Sequence, residues 1–87
     1  MRAPVAVALF CLATPALAGP QCTDLAEDEW LTEAQMRARI DKLGHTVEVF
    51  KKTDGNCYEI YGRDTSGNRI EVYFHPVTGA VVKASSL

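Results

Sequence analysis

Four segments in the second half of the chain alternate apolar and polar residues, and turn signals separate them. They cover residues 46–52, 57–63, 69–75 and, in a shorter run, 80–84. A period of two is typical of β-strands that bury one face. The intervening turns, at Asp54-Gly55, around Gly67 and at Pro76–Gly79, are too short for parallel crossovers. The pattern predicts a four-stranded antiparallel β-meander.

A helix is predicted immediately before these strands. Thr32 followed three residues later by Gln35 has the spacing of a capping box, in which each side chain bonds the other residue's backbone N–H. Gly44 supplies the left-handed backbone that ends many helices. Between them, apolar residues recur at helical spacing: Met36, Ile40 and Leu43. The predicted fold class is α+β, with one N-terminal helix packed on the four-stranded meander.

The first 18 residues have the pattern of a cleavable secretory signal peptide. Arg2 precedes an apolar run over Val5–Ala13, and Ala16-Leu17-Ala18 forms a small-x-small cleavage site. That run is far shorter than the ~20 residues that a membrane-spanning helix requires. We expect cleavage after Ala18, loss of Cys11 with the leader, and export to the periplasm or the medium. The domain organisation would be signal peptide 1–18, an acidic N-terminal arm 19–31 and a folded domain 32–87.

Size and charge narrow the function classes. The chain has 87 residues, and 9 Lys and Arg against 11 Asp and Glu give a net charge of -2. The length allows one domain, and the charge disfavours nucleic-acid binding, which requires a basic surface. In a domain this small, core burial barely offsets the loss of conformational entropy. An additional stabilising cross-link, such as a disulfide or a bound metal ion, is therefore expected.

Two cysteines, Cys22 and Cys57, remain after cleavage of the leader. Export exposes them to oxidising conditions, so we predict a disulfide between them. In the chain-entropy model, a closed loop of ~35 residues contributes roughly 3.5 to 4 kcal/mol. The alternative is a pair of free or metal-bound thiols, with His45 and His75 as the only histidines to complete a zinc site and neither at finger-like spacing.

Alternation along the strands assigns residues to faces. One face, toward the helix, is predicted to carry Val47, Val49, Tyr58, Ile60, Ile70, Val72 and Phe74. The other face is predicted to carry aromatic and acidic residues in two rows: Phe50, Glu59 and Tyr73, then Glu48, Tyr61 and Glu71. A one-residue bulge at Asp54-Gly55 would reverse the faces of the first strand.

The segment 54–64, DGNCYEIYGRD, together with Gly67, the run 69–72 and the ending 76–82, resembles the PepSY domain family. It is similar in particular to small exported single-domain members, in which Cys22, Trp30 and Cys57 match a cysteine, tryptophan, cysteine arrangement around the helix. The resemblance implies a helix on a small antiparallel sheet, and binding or restraint of peptides or peptidases outside the cytoplasm. It implies no catalytic residues. His75 and Ala80 depart from it, since many relatives carry acidic residues there.

The candidate sites each have a structural alternative. Phe50, Tyr61 and Tyr73 lie on the face expected to be uncovered, where aromatics favour partner contact, but cross-strand pairing explains them equally well. Glu48, Glu59 and Glu71 alternate with them and are more typical of a solvated surface than of paired catalytic acids. His45 and His75 are weak metal candidates. The last strand is predicted to be an edge able to accept an extended peptide.

Two functional hypotheses follow. The preferred one is a non-enzymatic exported binding module that binds or inhibits a peptide or peptidase of the bacterial envelope through the sheet face or its edge. The alternative is a structural or metal- or ligand-sequestering envelope protein that uses the histidines. No cofactor, nucleic-acid partner or transmembrane anchor is expected.

Overall fold

The computed structural model of the chain describes residues 19–87, so the predicted signal peptide and Cys11 lie outside the described residues. A 3-10 helical turn over Glu27–Glu29 precedes the helix α1 over Glu33–Lys42. The strands β1 (Thr46–Lys52), β2 (Tyr58–Arg63), β3 (Arg69–Phe74) and β4 (Val81–Ser86) follow. They form one antiparallel sheet in the order β1-β2-β3-β4. The α+β class and the four-stranded meander are confirmed.

Local sequence accounts for both ends of α1. The Thr32 hydroxyl accepts the backbone N–H of Gln35 at 3.1 Å, and the Gln35 side chain accepts the backbone N–H of Thr32 at 2.8 Å. This reciprocal pair satisfies two donors that the first helical turn leaves free. Gly44, at φ +82°, turns the chain out of the helix into β1.

The core lies between α1 and one face of the sheet. Met36 and Ile40 are fully buried, which stabilises the fold by about 1.5 to 3 kcal/mol for each side chain. Trp30 packs edge-on against Tyr58 with ring centroids 5.5 Å apart, and the Tyr58 hydroxyl donates to the Leu31 carbonyl at 2.6 Å. The buried core consists of Met36, Ile40, Tyr58, Ile60, Ile70, Val72 and Phe74.

A β-bulge in β1 corrects the predicted faces of that strand. Val47 pairs with Gly62, whereas Val49 pairs with Tyr61, so Glu48 is an extra residue on β1. Gly62 permits the bulge, because a Cβ there would collide with the Thr46 carbonyl oxygen. The irregularity thus lies near the start of β1, and not at the Asp54-Gly55 turn.

The bulge moves two residues to the opposite face from the one predicted. Phe50 pairs with Ile60 and packs against the core, so its predicted place beside Glu59 and Tyr73 is wrong. Val49, predicted to face the helix, lies on the other side and is 47% exposed. Lys51 pairs with Glu59 in the position predicted for Phe50, and Val49 takes the position predicted for Glu48 beside Tyr61.

Candidate functional site

The sheet face turned away from α1 carries a compact group of tyrosines and carboxylates. Glu59 pairs across the β2–β3 ladder with Tyr73, and Tyr61 pairs with Glu71. Four of the six residues predicted for this face therefore come together there. We call this surface the outer face and define it by Lys51, Glu59, Tyr61, Glu71, Tyr73 and Lys83, the two lysines entering from β1 and β4.

Glu59 is the most unusual member of the outer face. Its side chain is only 3% exposed, although it lies on the side of the sheet that has no helix. Lys51 Nζ lies 3.4 Å from Glu59 Oε1, while Glu59 Oε2 is buried without a hydrogen-bond partner in the described part of the chain. A buried carboxylate is stable only when it is paired, which makes this oxygen the strongest sign of an incomplete interaction.

The carboxylates change the acidity of both tyrosines. Contact with Glu71, together with burial, raises the pKa of Tyr61 well above its ordinary value. Burial, and then the neighbouring Glu59 carboxylate, raises the pKa of Tyr73 to about 12. Contact with the Tyr61 hydroxyl in turn lowers the pKa of Glu71. Both phenols therefore remain neutral, and Glu71 remains ionised, over the whole physiological range.

The N-terminal arm covers one end of the outer face. A Cβ on Gly19 would lie 2.7 Å from the Tyr73 ring, which shows how closely the arm passes over that residue. Tyr73 is consequently only 6% exposed. The predicted disulfide is confirmed, with Cys22 and Cys57 sulfurs 2.06 Å apart. The backbone N–H of Cys22 also donates to the Gly55 carbonyl at 2.8 Å, which ties the arm to the β1–β2 turn.

Glu48 occupies a different environment from the other two predicted carboxylates. As the bulged residue of β1 it forms an exposed ion pair with Arg63, with 3.1 Å between Arg63 Nε and Glu48 Oε1. An exposed pair of this kind contributes little to stability. Glu48, Glu59 and Glu71 therefore do not form one acidic patch.

The two histidines lie near opposite ends of β3. His75 follows the strand, and its Nδ1 accepts the backbone N–H groups of Val77 and Thr78 at 3.2 and 3.3 Å, so it stabilises the turn before β4. His45 borders a small cleft of about 180 Å³ beside Ile70 and Ser86, and its Nδ1 is buried without a hydrogen-bond partner among residues 19–87. Within residues 19–87 no three His, Cys, Asp or Glu side chains are grouped as metal ligands.

The edge strand β4 is the most accessible element of the sheet. Its outer edge is unpaired, since β3 is its only neighbour within the described sheet. Val81 and Val82 are 49% and 44% exposed. Beside the turn that leads into β4, a groove of about 540 Å³ is lined by Leu31, Gln35, Ala38, Arg39, Lys42, Leu43 and Gly79.

Sequence reasoning missed two contributors to the outer face, Lys51 and Lys83. Lys51 lies opposite Glu59, a cross-strand pair that a correct register for β1 would have revealed. Lys83 lies opposite Tyr73 and enters the face from β4.

The fold and the disulfide together define a small α+β domain. One helix packs on a four-stranded antiparallel meander, and the disulfide links the N-terminal arm to the sheet. Residues 2–85 match the family model described as peptidase propeptide and YPEB domain. The chain therefore belongs to the PepSY family, as the sequence resemblance predicted.

Membership of this family indicates a propeptide-like or peptidase-regulatory module, of a kind that is generally non-catalytic and typically extracellular. The disulfide is consistent with an oxidising compartment. No helix among residues 19–87 is long and apolar enough to cross a membrane. No curated protein and no solved structure gives a significant match to this chain.

Proposed function

We propose that this chain is a non-enzymatic, exported binding module that docks an extended peptide segment along β4. The partner would be a peptidase or another protein of the bacterial envelope. Binding of one of its extended segments to β4 would restrain it. The observation that carries the proposal is the open edge of β4, flanked by the exposed valines Val81 and Val82. Family membership supports the partner class.

An edge strand offers backbone donors and acceptors that only another extended chain satisfies as a set. The N–H of Leu87 donates to the Arg69 carbonyl at 3.0 Å, so residue 87 faces β3. In an antiparallel pair, the backbone N–H and C=O groups of successive residues point alternately toward the neighbouring strand and away from it. Since those of residue 87 point toward β3, the backbone groups of Ser86 and Ala84 point away from β3, to the open edge. These are the groups that an incoming peptide would bind.

The opposite edge of the sheet is better protected. β1 carries a bulge at Glu48, together with Lys51 and Lys52 in its second half. Bulges and charges are devices by which proteins keep an edge strand from pairing. β4 has one irregularity near its start and a single charge, Lys83, so its second half, from Ala84 onward, is the less guarded edge.

The outer face supports a narrower role than the sequence predicted. Phe50 lies in the core and Tyr73 is covered by the arm, which leaves Tyr61 and Glu71 as the partly exposed predicted residues of the Tyr–Glu group. We therefore place the partner at the edge strand and treat contact through Tyr61 and Glu71 as secondary.

The test is affinity capture of envelope proteins by the exported protein and two variants. Ala84→Pro removes an outward-facing N–H without removing a β3 hydrogen bond, and should abolish capture while the fold survives. Tyr61→Ala alters the outer face and should leave capture largely intact. If Tyr61→Ala abolishes capture and Ala84→Pro does not, the outer face is the docking surface and the edge-strand proposal is wrong.

A further inference from the structure

The buried carboxylate of Glu59 has only half of the partners that such a group requires. Oε1 lies 3.4 Å from Lys51 Nζ, and Oε2 is buried with no hydrogen-bond partner within residues 19–87. Removing an unpaired charged oxygen from water is strongly destabilising. A cationic donor at Oε2 would offset that cost.

The hydroxyls of Tyr61 and Tyr73 and the carboxylate of Glu71 lie close to the Glu59 carboxyl group, and none of them is a cation. Lys51 reaches Glu59 from β1 and is also 5.4 Å from the centroid of the Tyr61 ring. Tyr73 and Glu71 approach from β3, and Lys83 enters beside Tyr73 from β4. Of the ion pairs in the described part of the chain, Glu59 takes part in the one with Lys51 alone.

The start of the arm packs on Tyr73, the cross-strand neighbour of Glu59. A Cβ on Gly19 would lie 2.8 Å from Tyr73 Oη, and the Pro20 carbonyl oxygen is 3.3 Å from Cys57 Sγ. Tyr73 faces Glu59 across the ladder, and Cys57 precedes Glu59 by two residues, immediately before β2. Because N and Cβ of one residue are about 2.5 Å apart, the Gly19 nitrogen lies within about 5.3 Å of Tyr73 Oη.

Gly19 is suited to this close approach. Its φ of +102° and the close approach of the Tyr73 ring both disfavour a residue with a Cβ. The backbone nitrogen is thereby brought beside Tyr73, which faces Glu59 across the ladder.

We propose that the α-ammonium group of Gly19, released by cleavage after Ala18, is the missing cationic partner of Glu59. Hydrolysis of the Ala18–Gly19 bond consumes one water, leaves a carboxylate on Ala18 and converts the Gly19 amide nitrogen into an amine that is protonated at neutral pH. Processing would thus create the charge that fastens the arm over the outer face. This inference rests on the predicted cleavage site and does not depend on the edge-strand proposal.

The test measures the reactivity of the N-terminal amine in the exported, processed protein. Mass spectrometry first establishes Gly19 as the N-terminus, and competitive acetylation with acetic anhydride at pH 7 then reports the fraction of free amine. An ion pair with Glu59 raises the pKa of the amine above its ordinary value of about 8, and each tenfold loss of free amine corresponds to one pKa unit. We expect acetylation about tenfold slower than in Glu59→Gln.

Two further variants keep the result interpretable. Glu33→Gln removes an exposed carboxylate from α1 and should leave the amine protected, which controls for net charge. One serine inserted between Ala18 and Gly19 displaces the ammonium while Glu59 is retained, and should restore ordinary reactivity even if Glu59→Gln unfolds. Equal acetylation in the wild type and the insertion variant, or an N-terminus other than Gly19, would overturn the proposal.

Discussion

The rings of Phe50 and Tyr58 lie 5.0 Å apart at an angle of 47° on the helix-facing side of the sheet. Arg37 of α1 lies over the same Phe50 ring, 5.0 Å from its centroid. Phe50 therefore joins β1 to both β2 and the helix. This contact exists because the bulge at Glu48 turns Phe50 inward.

Replacing Phe50 with Ala should destabilise the domain by about 2 to 3 kcal/mol, less than the cost for a fully buried Phe because Phe50 is only half-buried. Val49→Ala, one residue earlier on the exposed face, should change stability by less than about 0.5 kcal/mol. Urea unfolding followed by Trp30 fluorescence measures both. A larger loss for Val49→Ala than for Phe50→Ala would contradict the bulge.

Reduction of the Cys22–Cys57 disulfide should lower the free energy of unfolding by roughly 3 to 4 kcal/mol, because the bond closes a loop with a sequence separation of 35 residues. The double variant Cys22→Ala/Cys57→Ala should unfold at a similarly low urea concentration and be insensitive to reductant. Thiol alkylation verifies that reduction is complete. If the fully reduced wild type is as stable as the oxidised protein, the disulfide does not stabilise this domain.

Gly62→Ala should lower the free energy of unfolding by about 1 to 3 kcal/mol, because the added Cβ collides with the Thr46 backbone at the bulge. Gly67→Ala is the matched control, since its Cβ would meet open space and only the positive φ of +84° opposes it, at a cost of about 1 kcal/mol. Chemical denaturation ranks the two variants. Equal losses at both positions would be inconsistent with a close approach of β1 and β2 at Gly62.

Acid should destabilise the β2–β3 turn through Asp64. The backbone N–H groups of Ser66 and Asn68 both donate to Asp64 Oδ1 at 2.9 Å, which lowers the pKa of that carboxyl. A carboxyl whose pKa is lower in the folded state stabilises the fold above its ordinary value near 3.9. That contribution is lost as the pH falls through the folded-state pKa.

Unfolding by urea at a series of pH values between 5 and 2 measures this effect. Asp64→Asn should show a shallower decline in stability on acidification than the wild type, whereas Asp41→Asn, on the exposed side of α1, should follow the wild type. Parallel curves for the wild type and Asp64→Asn would mean that the turn contributes no acid sensitivity.

The three tyrosines should resist ionisation in the folded protein. Burial raises the pKa of Tyr58, contact with Glu71 raises that of Tyr61, and burial raises that of Tyr73 to about 12. The associated stability is fully present below pH 10 and is lost as the pH rises through these raised values. Absorbance at 295 nm should show little phenolate at pH 10 until urea is added. A full tyrosinate signal at that pH from folded protein would contradict the packing of the outer face.

Much of the fold was predictable because its signals are local. The capping box of Thr32 and Gln35 and the turn at Gly79, with φ +76°, depend on residues within one or two turns of chain. The limits of β1 were predicted without error, and those of β2 and β3 to within one residue. β4 begins one residue later and ends two residues later than predicted, because pairing with β3, and not an alternating pattern, decides where an edge strand ends.

The amino-acid sequence by itself determined the order of helix and strands, the pairing of the two cysteines and the family to which the chain belongs, since each depends on residue type and short-range spacing. Only the tertiary structure decided which face of β1 is buried. One extra residue at Glu48 reverses every side chain after it, and the space that permits it exists only where Thr46 meets Gly62. The burial of Glu59 likewise depends on the side chains of the outer face, which four strands bring together from distant parts of the chain.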